Sequence, residues 1–260
     1  MHICVIDQQT KILNTTVMNI IPVIDLKDGL VVSAQQGKRH AYQPIHSTLC
    51  ASSLIEDVLT GFLSVYPFKT LYIADLNAIS HQGNNQKLIN DVISNNPSIT
   101  FWVDNGIQIQ QLPSYDVLKY KPVIGSESQN ITHFPGTTAH LINTILSLDF
   151  FPEKGYTGPA ELLNNASLWP QHIILMALER VGKDRGPDIE RLSHFCRKHP
   201  EKDFIAAGGI RHEHDLLQLE KTGVHHALIA SALHSGVINT LVIEKLQAKK
   251  MPRKNITEAF

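Results

Sequence analysis

Asp25 and Asp149 are the residues of this 260-residue chain whose type and setting best suit proton transfer. Each ends an apolar run, in Ile24-Asp25-Leu26 and in Leu148-Asp149-Phe150. Two carboxylates facing one substrate divide into acid and base when their surroundings push their pKa values apart. Capping the next turn is the plain structural use of either Asp alone. A second set is built from small residues. Gly208 and Gly209 follow one apolar run and Ser231 follows the next, where backbone N–H groups can approach an anion closely. Asn105 and Gly106, with Gly125 and Ser126, form a like set earlier in the chain. Two anion cradles flanking two aspartates describe a long substrate with a phosphate at each end; tight turns are the alternative use of these glycines. Asp104 stands beside the earlier set. Like unit charges about 4 Å apart repel by about 1 kcal/mol in water and about 4 kcal/mol at an effective dielectric near 20. Phosphate is therefore expected to prefer the cradle of Gly208, Gly209 and Ser231.

The elements that must position these residues are short and apolar. Eight runs read as strands buried on both faces: Ile20–Ile24, Thr70–Ala74, Thr100–Val103, Pro122–Ile124, Thr144–Leu148, His172–Ala177, Asp203–Ala207 and His226–Ala230. Amphipathic stretches lie between them, at Ser52–Ser64, Gln86–Ser94, Asp188–Lys198, Leu216–Lys221 and Val237–Ala248. Phe134-Pro135-Gly136 allows only a short helix after the fourth run. Parallel neighbours need such crossovers. Eight units predict an α/β fold, a (βα)8 TIM barrel; a doubly wound open sheet is the alternative. Gly106 and Gly209 are 103 residues apart, and Ser126 and Ser231 are 105 apart, which suggests two half-barrels of four units. In a barrel these strand ends form the mouth, with Asp25 and Asp149 on opposite sides.

Composition limits the function classes. Lys and Arg number 23 against 24 Asp and Glu, so the chain lacks the basic field that nucleic-acid binding requires. No apolar run approaches the ~18 residues of a membrane span, and no secretory signal opens the chain. A cytoplasmic protein, monomeric or weakly self-associating, is expected. Its 3 cysteines, Cys4, Cys50 and Cys196, show no disulfide or zinc pattern. The barrel is assigned to residues 18–248, with an N-terminal appendage at 1–17 and a solvated basic tail at 249–260. Met18 as the true start, or an extra strand at Ile3–Ile6, are two readings of the appendage. The 14 histidines form no H-E-x-x-H; only one of His225-His226 can face inward, and surface positions are expected for these and for His212 and His214, with a metal site as the alternative. Walker, dinucleotide and nucleophile-elbow motifs are absent. Phe101, Trp102 and Phe134 read as packing residues, with Trp102 facing the helices. Trp169 reads as loop packing, with closure over a substrate as the alternative.

The stretch from Ile20 to Val32, IIPVIDLKDGLVV, resembles the opening strand and loop of the HisA/HisF family of histidine biosynthesis. Leu71–Asp75, Gly125-Ser126, Leu148-Asp149, Gly208-Gly209-Ile210 and Ala232-Leu233 with Gly236 follow in that family's order, so the resemblance runs from about Asn19 to Lys245. It implies a half-barrel-repeat (βα)8 barrel of the ribulose-phosphate-binding type and a doubly phosphorylated ribonucleotide substrate. It also implies Asp25 as general base and Asp149 as general acid in an Amadori rearrangement of aminoaldose to aminoketose, with neither metal nor organic cofactor. Several turns depart from the family. Ser33-Ala34 replace the cation after Val31-Val32, Asp104-Asn105-Gly106 replace three glycines, and Ala177 to Gly186 and Ala230-Ser231 differ from the isomerase pattern. This mosaic, with the run Glu153 to Pro159, resembles the divergent HisA/HisF-related group. That group is known from archaea and from bacteria with tetrahydromethanopterin-linked one-carbon metabolism.

Two other readings belong to different classes. The altered turns fit a barrel that binds phosphate without catalysis, acting as a regulatory partner. The cyclase half of a glutamine-dependent synthase would need an ammonia channel and a lysine after Val31-Val32, which is missing.

Overall fold

The computed structural model describes residues 17–35, 37–112, 118–130, 141–182 and 185–248. Most of the N-terminal appendage, the Phe134-Pro135-Gly136 segment and the basic tail lie outside the described residues. Among those described, eight parallel strands carry the barrel: β1 (Asn19–Lys27), β4 (Thr70–Asp75), β5 (Thr100–Asp104), β6 (Lys121–Gly125), β7 (Ile145–Phe151), β9 (His172–Ala177), β10 (Asp203–Ala207) and β11 (His226–Ile229). Each pairs with the next in this order, and β11 returns to β1 through Asn19↔His226 to Pro22↔Ile229. That last pairing removes both sheet edges, so the open-sheet alternative is excluded and the fold is a (βα)8 TIM barrel.

Helices α1 (Ile55–Val65), α3 (Gln86–Asn95), α5 (Ile189–Lys198), α6 (Glu213–Lys221) and α8 (Thr240–Ala248) lie where amphipathic spacing was expected. Short additions decorate the mouth. The Asp28-Gly29 turn, at φ 52° and 78°, sends β1 back into β2 (Leu30–Ser33), which pairs with β3 (Gln43–Pro44). Both left-handed residues suit a two-residue hairpin loop. A second hairpin folds β8 (Gly155–Thr157) onto β7. The four-residue helices α2 (Leu76–Ile79) and α7 (Ser231–His234), and α4 (Ala160–Asn164), complete the described helices.

The core divides into two layers. Phe62, Phe101, Leu71, Ile73 and Ile89 pack between strands and helices. Ile21, Tyr72, Trp102, Val123, Ile145, Ile174, Ile205 and Leu228 fill the barrel interior. Trp102 therefore faces the barrel axis, not the helices: it is in register with the inward Tyr72 on β4, and the pleat puts both on one side. Trp169 is buried against Phe195, His199 and Phe204, and its indole N–H donates to the Leu162 carbonyl at 2.6 Å, a packing role away from the mouth. His225 and His226 are half-buried rather than on the surface, and His226 bonds Asn19 at 3.2 Å.

One step further along the inward positions stand Ala74, Gly125, Ser147 and Ala207, all small. Large residues thus plug the barrel below, and small ones leave a cavity above, at the C-terminal strand ends. On the outer wall, α1 sits tightly against the preceding loop. A Cβ on Gly61 would lie 2.5 Å from the Leu49 carbonyl oxygen. Gly61→Ala is expected to cost about 1–3 kcal/mol by overpacking, lowering Tm by roughly 2–4 °C per kcal/mol. An unchanged melting curve would contradict this packing.

Candidate active site

The mouth holds a cavity of about 700 Å³. Asp25 and Asp149 both line it, as do Gly208, Gly209 and Ser231. Asp104, Glu127, Arg39, Tyr42 and Tyr72 also line it. Asn105, Gly106, Gly125 and Ser126 do not: Asn105 and Gly106 open instead on a separate surface depression with His81 and Asn130.

Register explains which groups meet. Asp25 on β1, Ala74 on β4 and Asp104 on β5 are successive register partners, so both carboxylates occupy one level of the barrel. Ala74 between them adds only a methyl group. Asp149 reaches the same space from β7. The point where a Cβ on Gly125 would sit is 3.1 Å from Asp104 Oδ2 and 3.6 Å from Asp149 Oδ2. Gly125 thus lets two carboxylates converge, rather than cradling an anion itself.

Burial dominates their ionisation. It pushes Asp25 up to about 6, with the Arg39 charge opposing. It pushes Asp104 up to about 7; Glu127 adds to the rise, while the Gly106 N–H, Arg39 and the Tyr72 hydroxyl oppose it. Asp149 goes highest, to about 8, because burial is reinforced by the charges of Glu127 and Asp104. Arg39 comes from the loop between β2 and β3 and forms an ion pair with Glu127 across the mouth. Its guanidinium favours the ionised form of Asp25.

Hydrogen bonds donated by Ser147 and the Glu127 N–H oppose the rise at Asp149 and hold its carboxyl in place. Ser126 Oγ lies 2.7 Å from the Thr157 carbonyl oxygen and 3.1 Å from Asp149 Oδ2, and accepts from the Asp149 backbone N–H at 2.9 Å. A hydroxyl has one hydrogen to donate. That one hydrogen is shared between the Thr157 carbonyl and Asp149 Oδ2, so the hydroxyl ties the carboxyl to the β8 backbone. Ser147 Oγ donates to Oδ1 at 2.6 Å, and the Glu127 N–H donates to Oδ2 at 3.0 Å. These bonds fix the carboxyl plane.

The two expected cradles differ. Gly208 and Gly209 adopt φ 97° and 78°, and a Cβ on either would lie 2.4 and 2.2 Å from the carbonyl oxygens of Ala177 and Gly186. They allow the β10 turn to close against its neighbours while lining the cavity beside Ser231. In the earlier set, the Gly106 N–H donates to Asp104 Oδ1 at 3.1 Å, Asn105 Nδ2 donates to Tyr120 Oη at 3.3 Å, and Ser126 is engaged as above. Asn105, Gly106, Gly125 and Ser126, expected as a second cradle, do not line the mouth cavity, and the Gly106 N–H among them meets the Asp104 carboxyl.

Sequence reasoning did not single out Glu127, Tyr42 or Tyr72. Glu127 follows the strand-end Gly125-Ser126 directly, and that position was the available signal.

A closed (βα)8 barrel with acid–base groups at its mouth defines the class. The pattern of the histidine biosynthesis protein family matches residues 19–132 and 160–239, and the chain belongs to that family. It is 29% identical over 234 residues to an uncharacterized protein of Methanocaldococcus jannaschii, spanning 85% of this chain and 96% of that one. It is 23% identical over 253 residues to the 1-(5-phosphoribosyl)-5-((5-phosphoribosylamino)methylideneamino)imidazole-4-carboxamide isomerase of Pyrococcus furiosus, spanning 92% of this chain and 98% of that enzyme. The enzyme of the same name from Bacillus cereus is 25% identical over 239 residues, or 85% and 95% of the two chains. The family match omits residues 133–159, which carry Asp149. No helix among the described residues is long and apolar enough to cross a membrane.

The raised carboxyls bear on stability. A group whose pKa is raised by folding stabilises the fold below its unfolded value, and that contribution is lost as pH rises through the folded value. The lowered His172, His199, His226 and His234 act in the opposite direction, but only up to their unfolded value of 6.5. Between pH 6.5 and 8.5 the wild-type Tm should therefore fall. Asp104→Asn should melt progressively higher than wild type across that window. Thermal unfolding at a series of pH values checks this, and a difference independent of pH would contradict it.

Proposed function

We propose that the chain is an isomerase converting a phosphorylated aminoaldose to the corresponding aminoketose, with Asp149 as general acid and Asp25 as general base. The observation that carries this reading is the placement of two buried carboxyls at one cavity, Asp25 near a cation and Asp149 near two further carboxyls. Burial and the charges of Glu127 and Asp104 push the Asp149 carboxyl up to about 8 and so favour its protonated form. Asp25 is held closer to the ordinary carboxylate range by Arg39.

Asp149 gives its proton to the furanose ring oxygen as the C1–O bond breaks, and the nitrogen lone pair forms a C=N bond. Asp25 then takes the C2 proton. The C2–H electrons become the C1=C2 bond of an enolamine, and the nitrogen recovers its lone pair. Loss of the proton on the C2 oxygen and return of a proton to C1 give the ketone. Both electrons stay within the substrate, so no external oxidant is needed. Gly208, Gly209 and Ser231 are assigned to the substrate phosphate, as small residues lining the same cavity after β10 and β11. Resemblance to isomerases over most of both chains supports the reaction class.

Proton exchange at C2 in deuterated water, followed by NMR, tests the reading with two probes: an N-(5-phosphoribosyl)arylamine and the doubly phosphoribosylated compound named for the relatives. Asp25→Asn and Asp149→Asn should each slow turnover by about 10²–10⁴-fold while leaving the fold intact. The base works ionised and the acid protonated, so kcat/KM should be bell-shaped, rising through about 6 and falling through about 8. Wild-type turnover in both variants, or no exchange with either probe, removes the proposal.

A further inference from the structure

We infer that the natural substrate carries one phosphate only, and that Asp104 is the specificity residue that excludes a second. This rests on the isomerase reading above and narrows its substrate class. The compound for which the isomerase relatives are named contains two phosphoribosyl groups, and the half-barrel repeat supplies two turn sets where two phosphates would be expected.

In this chain the set after β5 and β6 is occupied from within. The Gly106 N–H, the backbone donor a phosphate would use there, donates to Asp104 Oδ1 at 3.1 Å. The Glu127 N–H donates to Asp149 Oδ2 at 3.0 Å. Ser126 Oγ bridges Asp149 and Thr157. The β7–β8 hairpin also closes over the same turn: at Gly158 a Cβ would lie 2.6 Å from the Ser126 carbonyl oxygen and 2.9 Å from its Cβ. Among the described residues of these turns, the donors at Gly106 and Glu127 and the charge of Asp104 thus oppose an anion on the cavity side. Arg39, the cation on this side of the cavity, forms an ion pair with Glu127.

The set after β10 and β11 is built differently. Gly208, Gly209 and Ser231 border the open cavity, and no carboxylate ends either strand. The substrate is then a phosphate monoester whose phosphate lies at β10 and β11. Its opposite end, facing Asp104 and Glu127, carries hydroxyl or amino groups.

Calorimetric titration and 31P NMR at pH 8 with ribose 5-phosphate and with the doubly phosphoribosylated compound test this. In the wild type the two ligands should bind within about threefold of each other, and only one phosphorus signal of the larger ligand should shift. Asp104→Gly should tighten the larger ligand by about tenfold and leave ribose 5-phosphate within about twofold. Asp104→Asn, nearly isosteric, should give a smaller gain in the same direction and serves if the glycine variant does not fold. A wild type that binds the larger ligand more than tenfold tighter, with both phosphorus signals shifted, overturns the inference but leaves the isomerase reading standing. So does an unchanged ligand ratio in both variants. If neither ligand binds the wild type, the inference and the isomerase reading fall together.

Discussion

Three carboxyls taken out of water at the end of one barrel set the terms for everything else in this site. Each would ionise freely in solvent, and burial raises all of them. What separates them is their neighbours. Arg39 acts on Asp25, and Glu127 and Asp104 act on Asp149. The barrel makes this possible by placing residues without bulk at the upper inward positions. Ala74 lies between Asp25 and Asp104 in the strand register, and Gly125 lets Asp104 and Asp149 approach one point. Larger residues in that layer would fill the cavity and move the carboxyls apart.

Much of this was legible in the residues alone. Buried parallel strands are continuous apolar runs, so His172–Ala177 and Asp203–Ala207 could be bounded without coordinates. The strand-end position of Asp25 and Asp149 could be read the same way. Closure of the sheet could not, because β11 pairs with β1 across more than two hundred residues and no local pattern encodes that contact. The inward face of Trp102 was misjudged because a strand buried on both sides shows no alternation to indicate which face is which. The excursion that starts at Asp28-Gly29, and with it the placement of Arg39, depends on the pairing of β2 with β1 and β3.

The half-barrel symmetry had the opposite effect: similar spacing suggested two like cradles, and the structure gives the two turns unlike surroundings. Gly125-Ser126 and Ala230-Ser231 occupy comparable places in the two halves, yet their surroundings diverged. One serine lines an open cavity, and the other is enclosed by Asp149 and the β7–β8 hairpin. Nothing in the short motifs distinguishes a turn that holds a ligand from one that holds a side chain. The neighbour that decides it, Asp104, lies on the adjacent strand.

The Ser126 hydroxyl has a wider consequence. One oxygen joins the carboxyl of Asp149, the backbone of β7 and the hairpin strand β8. A change there would alter proton affinity and loop closure together, so selection cannot adjust either trait alone at that position. Arg39 stands on a loop outside the barrel strands, where the residues around it are free to drift without disturbing the sheet. Divergence of chemistry within this scaffold should therefore enter through the first loop, while the junction between the two half-barrels stays pleiotropically locked.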